Sequence, residues 1–225
     1  MNSHQNTIMI AIDGPAGSGK GVLARHLAAH YRLQWIDSGL MYRAIAIQLG
    51  NRCWTSLTAD EQRHIIAPLR AAGAPSESHP AIRHESTAQK ASMIAQTAAL
   101  RTALLPIQRA RANNPPAPLR GSVMDGRDIG TDVLPHTPYK IYLTASLAIR
   151  AKRRYKELHN VSKTTRMDDV MDDMSRRDAW DRERPVAPLR KAKDALTIDS
   201  THMDEEETWQ TACRLLKTRG LERTP

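Results

Sequence analysis

Two kinds of residue in this chain are suited to holding phosphate: a glycine-rich segment that ends in lysine, and arginines that recur beside aspartates. The run Gly14-Pro15-Ala16-Gly17-Ser18-Gly19-Lys20 lets successive backbone N–H groups turn toward phosphate oxygens at a helix N-terminus. Lys20 would then reach the β and γ phosphates of a nucleoside triphosphate. Together with Gly21 and Val22, which follow directly, this run is the candidate triphosphate site. Loops of this kind usually place Ser or Thr after the lysine, where the hydroxyl meets Mg²⁺. Gly21 and Val22 offer no hydroxyl, so the metal is expected to be held mainly by phosphates and water, with Asp13 and Asp125 as outer partners.

A triphosphate loop says nothing of the acceptor. If the acceptor also carries phosphate, the two anions repel unless cations lie between them, and the planar fork of arginine suits that task. Three groups qualify. Arg43 closes Asp37-Ser-Gly-Leu-Met-Tyr-Arg43, Arg127 lies in Asp125-Gly-Arg127-Asp128, and Arg177, Asp181 and Arg184 fall at i, i+4 and i+7, on one face of a helix. Each alone reads equally well as a surface arginine, a turn aspartate or a solvated ion-pair ladder. Together with the glycine-rich loop they favour a phosphoryl site.

The elements that must position these groups alternate. Short apolar runs at Thr7 to Asp13, Leu33 to Asp37, Ser122 to Asp125, Lys140 to Thr144 and Ala195 to Asp199 read as buried strands. Helical periodicity runs over Lys20 to Tyr31, Ala145 to His159 and Asp204 to Leu216. This is an α/β chain with a doubly wound, five-stranded parallel sheet flanked by helices, and its ligand crevice lies at the carboxyl ends of the strands. Leu57 to Asn113 reads as almost wholly helical, interrupted at Gly73 to Pro80 and closed by the prolines before Pro118. It is a candidate substrate lobe. A charged helix over Arg166 to Arg184 carries the apolar stripe Met167, Val170, Met171 and Met174, which is read as packing.

At 225 residues the chain suits one α/β domain with insertions, and with no Phe its core must come from aliphatic residues and Met. A formal charge of +9 calls for a polyanionic partner without choosing between nucleic acid, phospholipid and nucleotide. Cys53 and Cys213 form no metal or disulfide pattern and are expected as reduced thiols. His26 and His30, at i and i+4, lack the glutamate of a zinc-protease motif and are read as packed or solvated. The start of the chain has no signal-peptide pattern, and no apolar run reaches membrane-spanning length, so a cytoplasmic protein is expected.

The segments DGPAGSGKG, DSGLMYRA, MDGRDIGTDVLP, KIYLTAS, RDAWDRERPVAPL and DALTIDST occur in the order and approximate spacing of bacterial cytidylate kinases, and the chain resembles that family over nearly its whole length. The resemblance is weakest between Gly50 and Pro80. It implies a P-loop kinase fold with a core at 1–50, 119–157 and 187–225, a reduced helical NMP-binding lobe at 51–118 and a helical lid at 158–186. It implies ATP and CMP or dCMP as substrates with Mg²⁺ as cofactor, in a monomer that binds neither nucleic acid nor membrane. By the same resemblance Arg43, Arg127 and Arg184 meet the CMP phosphate, and Ser38 belongs to the CMP site. Ser92, Arg101 and Asp128 read the cytosine, and Arg177 and Asp181 hold the sugar. Arg150 lies on the adenine and Arg154 on the phosphates, so that Lys20, Arg127, Arg154 and Arg184 form the catalytic set. Two departures stand out. Val22 replaces the family's common Thr, and only Ala71 to Ala81 fills the space of the family's small β insertion, too little for three strands. Two other readings stay open: a kinase for another acceptor such as UMP, and a basic nucleotide- or RNA-binding protein that has lost catalysis.

Overall fold

The computed structural model describes residues 7–71, 79–161 and 164–223. Its centre is a sheet of parallel strands β1 (Ile8–Asp13), β2 (Gln34–Asp37), β3 (Gly121–Gly126), β4 (Tyr139–Thr144) and β5 (Leu196–Asp199), in the order β2-β3-β1-β4-β5. Each strand falls within one residue of its expected bounds. The runs are continuously apolar because both faces are covered. Ile10, Ile12 and Val123 pack on one side against Leu23, Leu27, Ala212 and Leu216, from helices α1 (Lys20–Tyr31) and α8 (Glu205–Lys217). Ala11, Ile36 and Met124 pack on the other against Met41, Ile45, Leu100 and Leu104, from α2 (Ser38–Leu49) and α5 (Ala98–Asn113). Because β1 lies between β3 and β4, its carboxyl end marks the crevice where chains of this order bind ligands.

Residues 51–118 hold α3 (Ala59–Ala71), α4 (Glu85–Ile94) and α5, with short 3-10 turns at Trp54–Ser56 and Pro80–Arg83, and no strand among the described residues. The expected interruption at Gly73 to Pro80 lies largely outside the described residues. A further break separates α4 from α5, where Gln96 N–H donates to Met93 O (3.2 Å) and Thr97 N–H to Ile94 O (3.0 Å). No Gly or Pro marks this break, so the sequence pattern runs straight through it.

On the far side of the crevice, α6 (Leu147–Val161) packs on α7 (Met167–Glu183). Val170 and Met174 are buried against Ala151, with Met167, Met171 and Tyr155 around them, so the methionine stripe is packing, as expected. A five-residue π-turn, Ile129–Val133, follows β3 and has no counterpart in the sequence reading. No helix among the described residues is long and apolar enough to cross a membrane.

Candidate active site

The loop after β1 is shaped by its glycines. A Cβ on Gly14 would stand 1.9 Å from the Leu143 carbonyl oxygen, which admits no side chain. Gly17 has φ +71°, and a Cβ there would lie 2.8 Å from Met174 Cε, so the loop touches the stripe of α7. Gly19 takes the left-handed conformation as N-cap of α1 and offers no side-chain cap, leaving the first amides of that helix to an anion. Lys20 folds back over the loop and donates to Pro15 O (2.7 Å). Burial, then Arg127, push its ammonium down to about 7.

The loop forms one wall of a cavity of about 610 Å³. Ala16, Gly17 and Gly19 line it from the loop after β1, Lys20, Gly21 and Val22 from α1, and Ser38 and Arg43 from α2. Ser92 and Arg101 come from α4 and α5, Asp125, Arg127 and Asp128 from the end of β3, and Arg154, Arg177, Asp181 and Arg184 from α6, α7 and its C-cap. Residues more than 160 positions apart in sequence therefore converge at the carboxyl end of the sheet.

Ion pairs knit this cluster. Arg127 Nε donates to Asp181 Oδ2 (2.7 Å), and Arg101 Nη2 donates to Asp128 Oδ2. Burial pushes the Asp181 carboxyl up, but Arg127 and Arg184 outweigh it and hold it below the usual range. At Asp128 burial prevails over Arg101 and Arg184, and its carboxyl is raised. Ser92 Oγ lies 3.5 Å from Asp181 Oδ1, and Ser38 Oγ donates to Asp125 O (2.8 Å). Arg184 donates through Nε to Ala187 O (2.6 Å) and stands 3.9 Å from both Asp128 and Asp181. Its Nη2 is buried without a hydrogen-bond partner, and so is Nε of Arg177. Burial, then Arg127, lower the Arg177 guanidinium to about 10. Buried charged donors left unpaired cost roughly 1–3 kcal/mol each, and an anion in the cavity would pair them.

Gly14, Pro15 and Ser18 do not line the cavity and instead shape the loop from behind. Two more of the expected residues do not line the cavity. Arg150 does not face the cavity: it is buried, donating through Nε to Ala145 O (2.8 Å), through Nη1 to Ala16 O (3.1 Å) and through Nη2 to Asp178 Oδ2 (2.6 Å). With its whole fork occupied it fastens the loop to α7. Asp13 is likewise occupied, its two oxygens accepting the N–H groups of Ile129 and Gly130 (2.7 Å each), which anchors the π-turn. Burial pushes its carboxyl up to about 7. Asp13 does not line the cavity.

Asp125 does face the cavity. Burial, then the neighbouring Asp37, push its carboxyl up to about 7, and the Trp35 indole N–H donates to Oδ1 (2.8 Å). Gly21 and Val22 line the cavity without a hydroxyl, and among the described residues no group of three or more His, Cys, Asp or Glu is placed to hold an ion. The donor set fits Mg²⁺ that arrives on a nucleotide rather than a resident metal, and of the two expected outer partners Asp125 is the one that lines the cavity. His26 and His30 sit edge-on to Trp209, with ring centroids 6.3 and 5.4 Å away, as packed rings, and Cys53 and Cys213 are free thiols.

Sequence reasoning missed Trp35 and Glu85. Trp35 lies under the Arg25 guanidinium, 5.1 Å from the ring centroid. Glu85 Oε2 accepts from Arg154 Nη2 (2.5 Å), and Oε1 stands 3.8 Å from Arg177 Nη1. As the acid that opens α4, Glu85 reads from sequence as a helix-dipole residue, and nothing local points to its arginines.

A parallel sheet with a phosphate loop after its central strand and an arginine-lined cleft defines a P-loop kinase. The sequence profile of cytidylate kinase matches residues 10–218. Cytidylate kinase of Rhodospirillum rubrum is 38% identical over 209 residues, covering 93% of this chain and 97% of the relative. That of Clostridium tetani is 36% identical, covering 94% of each. Among solved structures, shikimate kinase of Acinetobacter baumannii aligns at a TM-score of 0.48 and 15% identity, covering 96% of this chain and 97% of that one. The chain belongs to the cytidylate kinase family.

Proposed function

We propose that this cavity transfers the γ-phosphoryl group of ATP to CMP or dCMP. The observation that carries the reading is the pair of buried, unpartnered guanidinium donors, Arg184 Nη2 and Arg177 Nε, in a cleft that begins at a phosphate loop. The loop amides and Lys20 hold the β and γ phosphates, and Arg43, Arg127 and Arg184 hold the acceptor phosphate. An oxygen of that phosphate attacks the γ-phosphorus in line, the bond to the β-phosphate oxygen breaks, and ADP leaves. Positioning and charge neutralisation supply the catalysis, so no covalent enzyme intermediate is required. Mg²⁺ on the ATP phosphates adds to that neutralisation, with Asp125 at its water shell.

Cytosine presents an amino donor beside two acceptors. The Asp128 carboxylate beside the Arg101 guanidinium offers the complementary order, with Ser92 at the edge, whereas uracil would turn a carbonyl toward Asp128. Arg177 and Asp181 hold the sugar. Residues 1–50, 119–157 and 187–225 act as the core, 51–118 as the acceptor lobe and 158–186 as the lid that excludes water on closure. An ADP-release assay with ATP, Mg²⁺ and each of CMP, dCMP, UMP and AMP tests this. Turnover confined to CMP and dCMP is expected, and a UMP rate equal to that of CMP, or no turnover at all, would refute it.

A further inference from the structure

Arg154 is held at both ends by carboxylates. Its Nη2 donates to Glu85 Oε2 (2.5 Å) and its Nη1 to Glu157 Oε2 (2.9 Å). Glu157 is its neighbour three residues along α6, an exposed pairing worth little. Glu85 comes from elsewhere, at the opening of α4, and reaches across the cavity. The same carboxylate stands 3.8 Å from Arg177 of α7. One acid thus pairs with guanidinium groups from α6 and α7, inside the cavity that Arg43 of α2 also lines. An acceptor phosphate held by Arg43 would bring two negative charges into that cavity.

We infer that Glu85 is a specificity residue against water: it holds Arg154 and Arg177 until an acceptor phosphate displaces it, so that ATP bound alone is not hydrolysed. The inference rests on Arg154 and Arg177 serving the phosphates and sugar. The reaction it suppresses is simple. A water oxygen forms a bond to the γ-phosphorus, the bond to the β-phosphate oxygen breaks, ADP leaves with that electron pair, and the water's proton passes to solvent. Arginine charge on the migrating phosphoryl group accelerates attack by water and by CMP alike, so discrimination must come from when the arginine is free. Without an acceptor nothing competes with Glu85 for Arg154. An acceptor draws Arg177 from the carboxylate through its sugar, its phosphate repels the carboxylate, and Arg154 turns to the γ-phosphoryl group. Binding of the right substrate then assembles the charge that the reaction needs.

The test is Glu85→Gln, which keeps the shape and removes the charge, with ADP release measured with and without CMP. The ratio of acceptor-free hydrolysis to CMP phosphorylation is expected to rise about tenfold, a fraction of what a phosphoryl-directed arginine contributes. Glu85→Asp should restore a low ratio, and adding Arg154→Ala to Glu85→Gln should abolish the rise. An unchanged ratio overturns the inference while leaving the kinase reading intact. So does an equal fall in both rates, which would make Glu85 a support for Arg154, and so does a rise that survives Arg154→Ala. Failure of the kinase reading itself looks different: the wild-type chain would then show no CMP turnover.

Discussion

Arg184→Ala separates a functional cation from a structural one. In the folded chain Arg184 has one good hydrogen bond, from Nε to Ala187 O, and two carboxylates at 3.9 Å. Removing it strands neither acid, because Asp128 keeps Arg101 and Asp181 keeps Arg127. The lost charged hydrogen bond costs roughly 1.5–3 kcal/mol, and the burial of an unpaired Nη2, worth roughly 1–3 kcal/mol against the fold, is relieved. The two nearly cancel, so Tm should move by no more than about 4 °C in a chain of this size. Turnover should not be spared. A preorganised donor aimed at developing charge contributes about 10²–10³ in rate, and kcat with CMP should fall by that factor while ATP binding is retained. Thermal unfolding and the ADP-release assay on one preparation give both readings. Turnover within about threefold of wild type would refute the role, and a Tm loss above about 10 °C would mean that the residue holds the fold together.

Val22→Thr puts a hydroxyl where methyls now line the donor site, and one charge-assisted hydrogen bond to the donor phosphates should lower KM for MgATP by about three- to tenfold; an unchanged KM would mean that the phosphates do not reach this wall. Asp128→Asn replaces an acceptor with an amide that can also present a donor, so the preference for CMP over UMP in kcat/KM should fall at least about tenfold. A preference unchanged in that variant would remove Asp128 from base reading. Lys20 gives a pH signature. Burial and Arg127 hold it at about 7 in the empty site, and ATP phosphates favour its charged form, so the bound pKa lies above the free one. Affinity for Mg²⁺-free ATP should therefore be full below pH 7 and be lost as pH rises toward the ordinary lysine value of about 10.4. Asp125, held near 7, shifts in the same direction beside an anion. Calorimetry at pH 8 in buffers of different ionisation enthalpy should show net proton uptake, and net release would reject the assignment.

How legible each part was follows from where its causes lie. The strands and the phosphate loop answer to local demands: continuous apolar runs for a sheet covered on both faces, and glycines where Leu143 O and a left-handed N-cap exclude a side chain. Such demands are written in adjacent residues. The arginines were legible as a type, since only cations can lie between two phosphates, but their present partners were not. The oxygens of Asp13 accept from amides 116 and 117 residues away. The fork of Arg150 reaches Ala16, 134 residues back, and Asp178, 28 residues on. Hydrogen-bond saturation of a buried group is a property of the folded neighbourhood, and no motif encodes it.

The charge of +9 proves a poor guide to the site for a related reason. The cavity wall holds eight cationic side chains and seven acidic ones, so the empty cleft is nearly neutral and the surplus lies elsewhere on the protein. A wall of cations alone would be costly before substrate arrives, since burial already lowers Arg43, Arg177 and Arg184 against their own charge. Acids that pair with these arginines make the empty site tolerable, at the expense of affinity, because each must yield or share when phosphate enters. The acids differ in how they can do so. Asp128 and Asp181 are buried, whereas Glu85 is a third exposed and sits on a different helix from the arginines it holds. Of these three it is the one that can turn out to water at least cost, and so it is the one that substrate can displace.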